Sequence, residues 1–252
     1  MPPVPLRFRV LGSGSRGNSL LVECGATRIL VDCGFPLREI ELRLERAQVA
    51  PGSVSALLLT HEHGDHAQGA LAFARRHPRV LFTTRGTFRA LARKAKDVDV
   101  RFIESGRCFA VGAIDILPYV VPHDACEPVQ FVFSSGGARL GLLTDVGSPT
   151  PYIEECLRQC DGLILECNHE AELLQSGAYP PSLKARIGGR FGHLSNAQAA
   201  GILSRVMHPG LQCLVAAHLS AQNNRPDLAR QALGSVLGDA ASLIEVADQD
   251  LG

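Results

Sequence analysis

An α/β protein, built as a sandwich of two sheets with helices outside, is the fold class this sequence predicts. Three observations lead there. Short apolar runs alternate with helical patterns in two successive β-then-α halves. Several apolar runs end abruptly in a histidine or an aspartate, as strands delivering side chains to a site would. The length, 252 residues, suits one large domain over residues 1–252, with enough chain to bury a sizeable core.

Taking the elements in order, residues 6–11, 19–23 and 28–32 read as strands, with Cys24-Gly25-Ala26-Thr27 as a tight hairpin connection. Residues 36–47 are helical, with Leu37, Ile40, Leu42 and Leu44 among charges. Residues 56–60 form a buried strand, followed by a helix over 66–76. Residues 80–83 and 100–104 read as strands, separated by a basic helix over 84–94. The middle is richer in strands: 107–111, 114–121, 129–134 and 139–144. A helix over 151–159 leads into a strand at 162–166. Residues 177–191, rich in proline and glycine, read as irregular. The remainder is helix (196–207), strand (211–216), helix (227–237) and strand (242–246).

Composition narrows the functional classes. Twenty-five basic residues balance 25 acidic ones, which excludes affinity resting on a globally basic surface but leaves room for a local patch. No apolar run reaches the ~18 residues of a membrane span. The start carries no export signal, so a cytoplasmic location is expected, and the eight cysteines read as reduced thiols. His77 and His208 precede prolines and read as surface residues; Cys126 and Cys167 read as packing thiols.

The segment Gly12-Ser13-Gly14-Ser15-Arg16-Gly17, with Asp32 about 20 residues on, matches a dinucleotide-binding pattern. Its context does not: residues 18–23 continue as a strand where the pyrophosphate needs a helix N-terminus. The loop is therefore a tight glycine turn, or a pocket wall in which Ser13, Ser15 and Asn18 touch a phosphate.

Thr60-His61-Glu62-His63-Gly64-Asp65-His66 carries the strongest chemical signal. Three imidazoles and a carboxylate within six residues, where a buried strand ends, are ligands for divalent transition metals. His61 and His63 share one direction by period two, while Asp65 and His66 turn toward a second position, so one loop can serve two ions. Further ligands are then required, and His123, Asp145 and His218 each terminate an apolar strand.

With these residues in view, the chain resembles the metallo-β-lactamase fold of metallohydrolases, which implies a four-layer αβ/βα sandwich. The segments LGSGSRGNSLLVE, ILVDCG, LTHEHGDH, PHDACEPV, LLTDVG, ECNHEAELL, YPPSLKARI and GHLSNAQAA are similar to its YycJ/WalJ branch. That resemblance implies a first metal on His61, His63 and His123, a second on Asp65, His66 and His218, and Asp145 bridging them. Asp65, His193 and Glu166 are the catalytic candidates. His193 resembles the histidine of related phosphodiesterases that contacts the scissile phosphate or protonates the leaving group; the alternative is a support at the entry of the next helix, which Ser195 and Gln198 can cap. Glu166 would orient His193 or a metal-bound histidine. His169 is a substrate contact or a structural residue at a helix start. Where the branch reads Glu-Ser-Asn-His-Asp, this chain has Cys167 and Glu170.

Two ions ~3.5–4 Å apart share a hydroxide that serves as nucleophile at neutral pH. Zn²⁺ fits the His/carboxylate set best, with Mn²⁺ and Fe²⁺ tolerated. Lys184, Arg186 and Arg190 form a basic lip before His193, either tracking phosphates or simply solvated, whereas residues 85–96 read as an exposed helix face. With no tryptophan and 5% aromatics, backbone contact is favoured over stacking. The expected activity is phosphodiester hydrolysis on nucleic acid, DNA before RNA, and by resemblance 5′→3′ exonuclease action. The alternatives are a small-molecule phosphodiesterase or thioesterase, a tRNA-processing endonuclease, and, last, a metal-binding scaffold without activity.

Overall fold

The computed structural model describes residues 4–92 and 95–250. The first sheet holds β1 (Arg7–Gly12), β2 (Ser19–Cys24), β3 (Thr27–Val31), β4 (Ala56–Leu58), β5 (Leu81–Thr83) and β6 (Val100–Phe102), in that spatial order. The second holds β7 (Phe109–Val111), β8 (Ile114–Val120), β9 (Val129–Ser135), β10 (Ala138–Leu143), β11 (Gly162–Glu166), β12 (Cys213–Ala217) and β13 (Ile244–Val246), also in sequential order. Each sheet begins as an antiparallel meander and continues as parallel strands: β3 to β6 in the first, β10 to β13 in the second. Helices supply the parallel crossovers, as a return over the sheet requires.

Alternation along the parallel strands explains their continuous apolar runs. Ile29 and Val31 of β3 face the other sheet, packing with Phe131, Phe133 and Ile164. Leu30 between them faces outward onto Ile40 and Leu44 of α1 (Leu37–Arg46) and Phe73. In β11, Ile164 faces the partner sheet, while Leu163 and Leu165 pack on the outer helices α5 (Pro151–Leu157), α8 (Asn196–Val206) and α9 (Pro226–Leu237). A strand covered on both faces needs apolar side chains at every position. The result is helices, sheet, sheet, helices.

The hairpin between β2 and β3 has the expected two-residue loop, pairing Cys24 with Thr27 and placing Gly25 at φ 59°. Elsewhere the structure revises boundaries. The helix expected over 66–76 divides into α2 (Gly64–Ala67) and α3 (Ala70–Arg76), because Gly69 donates its N–H to the Cys33 carbonyl in a gap with no room for a Cβ. The basic helix is shorter, α4 (Arg85–Leu91), and Arg93 and Lys94 lie outside the described residues. The stretch 177–191 is not wholly irregular. After α6 (Ala171–Ser176), Pro180 and Pro181 start α7 (Pro181–Ile187), with proline at the first helical position where no amide hydrogen is needed. His77 and His208 are partly buried, bonded to Glu41 and to the Cys160 carbonyl, and Cys126 is exposed where a packing thiol was expected. Among the described residues no helix is long and apolar enough to cross a membrane.

Candidate metal centre

The carboxyl ends of β3, β4, β10, β11 and β12 converge on one edge of the sandwich and deliver Asp32, His61, Asp145, Glu166 and His218 there. Open α/β sheets place their ligand sites at such strand ends. Three of these residues turn through left-handed backbone, at φ 56° for Asp32, 52° for Asp145 and 56° for His218. Each such turn costs ~1–3 kcal/mol in a non-glycine residue, though aspartate and histidine tolerate it better than most. It swings the side chain out of the strand pleat and into the site.

Two groups of ligand atoms result. His61 Nε2 lies 3.1 Å and His123 Nε2 3.2 Å from His63 Nδ1, so three imidazole nitrogens converge. Asp65, His66, Asp145 and His218 form the second group, and within each group all ligand atoms lie within 4.8 Å of one another. Asp145 reaches both, with Oδ2 3.1 Å from His66 Nε2 and Oδ1 3.9 Å from His123 Nε2. His218 Nε2 and Asp145 Oδ2 are buried yet have no hydrogen-bond partner. Buried polar atoms are normally paired, and a cation among them supplies the missing partner, so these residues fit a divalent metal.

The rear nitrogens of the histidines are anchored, which points the front ones inward. His61 Nδ1 meets Thr60 Oγ1 at 3.0 Å, His66 Nδ1 meets Asp32 Oδ2 at 2.8 Å, and His123 Nδ1 meets the Gly192 carbonyl at 3.1 Å. Glu166 Oε1 accepts from both His218 Nδ1 at 3.0 Å and His193 Nδ1 at 2.9 Å. Such outer partners fix the tautomer and the ring plane. A third group of candidate ligands pairs Glu166 and His193 with Asp145 and His218. Glu166 is spent on other partners, however: Oε1 also accepts from the Asp145 amide, and Oε2 from the amides of Val146 and Leu194. Five donors leave it a support.

Charge follows from these contacts. Burial pulls His66 and His218 down, but the surrounding carboxylates win: Asp145 and Asp32 hold His66 well above its usual value, and Asp145, Asp65 and Glu166 raise His218 to about 10. Burial likewise lowers His193, and Glu166 more than reverses it. Burial would raise Asp145, yet His218 and His66 hold it well below the carboxylate range, and His193 and His218 bring Glu166 to about 2 against the same cost. Burial leaves His61 well below its ordinary value, and His123 below its own.

The other residues singled out in the sequence take varied positions. Ser15 lines the cleft before the metal centre, as do Arg186, His193 and Asn168. Ser13 and Asn18 are buried: Ser13 Oγ accepts from the His218 amide at 2.8 Å, and Asn18 Nδ2 lies 3.1 Å from His66 Nε2. Both thus touch members of the second group of ligand atoms. His169 is buried, its amide bonded to the Leu194 carbonyl and its own carbonyl accepting from Asn196, with Nδ1 unpaired. Lys184 Nζ donates to the Gln175 carbonyl, Arg186 pairs with Asp124 at 2.6 Å, and Arg190 lies over the Phe191 ring. Ser195 and Gln198 form the expected capping box on α8.

Asp32 and Thr60 are the residues the sequence reading passed over. Thr60 donates its amide at 2.9 Å to Asp32 Oδ1, and its hydroxyl lies 2.8 Å from Oδ2, so both clamp His66 from behind. Asp32 follows an apolar strand just as Asp145 does, and that position is the signal that marks it.

Comparison with known proteins agrees with this geometry. Residues 27–218 match the model of the beta-lactamase superfamily domain. Exodeoxyribonuclease YycJ of Bacillus anthracis is 34% identical over 235 residues, 92% of this chain and 89% of that protein. Exodeoxyribonuclease WalJ of Streptococcus pneumoniae is 32% identical over 245 residues, 95% of this chain and 91% of its own. The metallo-beta-lactamase fold protein YhfI from Bacillus subtilis superimposes with a TM-score of 0.74 over 97% of each chain, at 18% identity. With a matched domain, full-length relatives and a shared two-sheet architecture, the chain belongs to the beta-lactamase superfamily, within its YycJ/WalJ family, and is a metal-dependent hydrolase.

Proposed function

We propose that the protein is a dinuclear phosphodiesterase that digests nucleic acid from an end, with DNA as its substrate and 5′→3′ polarity. The position of Asp145, with one carboxylate oxygen toward each nitrogen cluster, carries the dinuclear reading. His61, His63 and His123 would hold one ion, and Asp65, His66 and His218 the other, with Asp145 shared. Both are divalent, and the His/carboxylate donors suit Zn²⁺ first, then Mn²⁺ or Fe²⁺. When bound, such ions activate water for attack and draw charge from the phosphoryl oxygens. The relatives YycJ and WalJ are exodeoxyribonucleases, which supports DNA and end-wise digestion.

The chain's own groups supply the rest. His193 is fixed through Nδ1 by ionised Glu166, leaving Nε2 free. Glu166 raises its pKa, which favours a proton on Nε2 for the leaving oxygen or for a phosphoryl oxygen as charge builds. Glu166 thus holds His193 and His218 in register through one oxygen atom.

The test is metal-reconstituted protein on 5′-labelled and 3′-labelled DNA, RNA, bis-p-nitrophenyl phosphate and a thioester. Stepwise release of 5′ nucleotides from DNA is expected. Hydrolysis confined to the thioester would overturn the phosphodiesterase reading, and a preference for RNA would reassign the substrate.

A further inference from the structure

The glycine pattern of residues 12–17 makes room for a distant stretch of the chain. A Cβ at Gly14, whose φ is 148°, would come within 2.7 Å of Gln249 Oε1, and one at Gly12 within 2.9 Å of the Gln249 carbonyl. The space that side chains would fill is occupied by the segment following β13, which only glycine lets so close. That segment comes from the other sheet. β13 ends at Val246, the Ala247 amide donates to the Ala216 carbonyl of β12, and the chain then crosses to the loop after β1.

Gln249 grips the loop through both ends of its amide. Oε1 accepts from the Arg16 amide at 2.8 Å, and Nε2 donates to the Gly17 carbonyl at 2.7 Å. The Ser13 amide donates to the Asp248 carbonyl at 3.1 Å. Arg43, buried and 3.8 Å from the centre of the Phe35 ring, secures the segment: its Nη1 donates to the carbonyls of Leu11 at 2.5 Å and Gln249 at 3.1 Å. Apolar packing joins the sheets less closely at this edge, because a groove of about 590 Å³ runs between β1 and the pair β12 and β13, lined by Phe8, Val10, Val215 and Val246. The loop in turn holds one group of ligand residues. Ser13 Oγ accepts the His218 amide at 2.8 Å, Asn18 Nδ2 lies 3.1 Å from His66 Nε2, and the Asn18 amide donates to the Asp65 carbonyl at 2.8 Å. The partners of His61, His63 and His123 described above lie elsewhere: Thr60, one another and the Gly192 carbonyl.

We infer that Gln249 is a positioning residue for the second metal position: by fixing the turn at residues 13–17 it sets the spacing of Asp65, His66 and His218, and leaves His61, His63 and His123 as they are. This rests on the two-ion reading above and adds to it a means of setting the affinity of one ion apart from the other. The effect travels through hydrogen bonds between segments more than 200 residues apart, so loss of the Gln249 amide loosens the loop without removing any ligand. Partners behind metal ligands typically govern affinity by 10- to 100-fold, and one acting at a further remove belongs at about the lower figure.

The experiment is chelator competition for zinc on the full chain in two backgrounds, His63→Ala, which disables the first group, and His66→Ala, which disables the second. Adding Gln249→Ala should weaken zinc binding about 10-fold in the His63→Ala background and leave it unchanged in the His66→Ala background. Gln249→Met keeps the side chain's bulk without its hydrogen bonds and should behave as Gln249→Ala does, which separates the contacts from packing. Unchanged affinity in both backgrounds would overturn the assignment of Gln249. Equal loss in both would overturn it too, since it would make the contact a support of the whole fold. Wild type that takes up a single zinc per chain would instead remove the two-ion reading, and this one with it.

Discussion

Asp32 accepts from His66 Nδ1 at 2.8 Å, although 34 residues separate them in the chain. This contact sets the tautomer of His66, leaving Nε2 for the proposed metal, and Thr60 clamps the carboxylate through its amide and hydroxyl. Asp32→Asn retains the shape but removes the charge and puts an NH2 donor where one oxygen now accepts from Thr60 or His66. Metal affinity should drop about 10- to 100-fold, the usual cost of an altered outer partner. Chelator competition on the folded variant measures it; unchanged affinity would show that His66 needs no anchor.

Asp145 and His193 should separate metal binding from turnover. Asp145→Ala removes the carboxylate that reaches both nitrogen clusters, and should lower both metal content and phosphodiester hydrolysis. His193→Ala leaves every proposed ligand in place. Its metal content should stay at the wild-type level while kcat falls about 10²- to 10⁴-fold, the range for loss of a general acid. Elemental analysis beside steady-state kinetics decides it, and wild-type turnover in His193→Ala would end the role assigned to that ring.

The two-sheet arrangement and the metal cluster were legible because apolar strands covered on both faces leave long runs, and because His61 to His66 concentrate donors in one loop. The supports were not. Asp32, Ser13 and Asn18 act through contacts between segments far apart in sequence, and a lone polar residue after a strand looks the same as a support or as a substrate contact. Left-handed turns at Asp32, Asp145 and His218 escape notice for a related reason: glycine is the usual marker of such backbone, and here function demands a side chain. The short helix at 181–187 was hidden by its prolines, which announce a break in most contexts but fit a helix start.

Gly34 tests how closely the supporting loops pack. A Cβ there would collide with the Asp65 carbonyl and come within 2.7 Å of the Asn18 amide. Both are backbone atoms that cannot rotate away, and Asn18 donates its amide to the same Asp65 carbonyl at 2.8 Å. Gly34→Ala should therefore destabilise the protein by about 1–3 kcal/mol, as overpacking does. It should also weaken metal binding through Asp65 and His66 more than through His61, His63 and His123. Denaturant unfolding gives the first quantity and stepwise metal titration the second; a variant with wild-type stability would show that the two loops are free to part.

Metal-free protein should lose stability with rising pH where metal-loaded protein does not. His218 rises in the folded chain from 6.5 to about 10, and His66 also lies well above 6.5. A raised pKa gives stability that is complete below the unfolded value and lost as pH climbs toward the folded one. Melting temperature of the metal-free protein should then fall between pH 6.5 and 9, with up to about 1.4 kcal/mol lost per pH unit for each of the two protons. The buried thiols Cys33 and Cys167, raised above their ordinary 9.0, add to the loss only beyond this window. Below 6.5 the depressed pKa values of His61 and His123 act the other way, since the unfolded chain takes up protons that the folded one refuses. The metal-free optimum therefore falls near 6.5. Metals require the same histidines without their protons, and above 6.5 the unfolded chain holds none on them either, so metal affinity should rise with pH while the loaded protein's stability stays level across pH 6.5–9. Parallel melting curves with and without chelator are the measurement, and the same slope for both forms would mean that His66 and His218 carry no protons for a metal to displace.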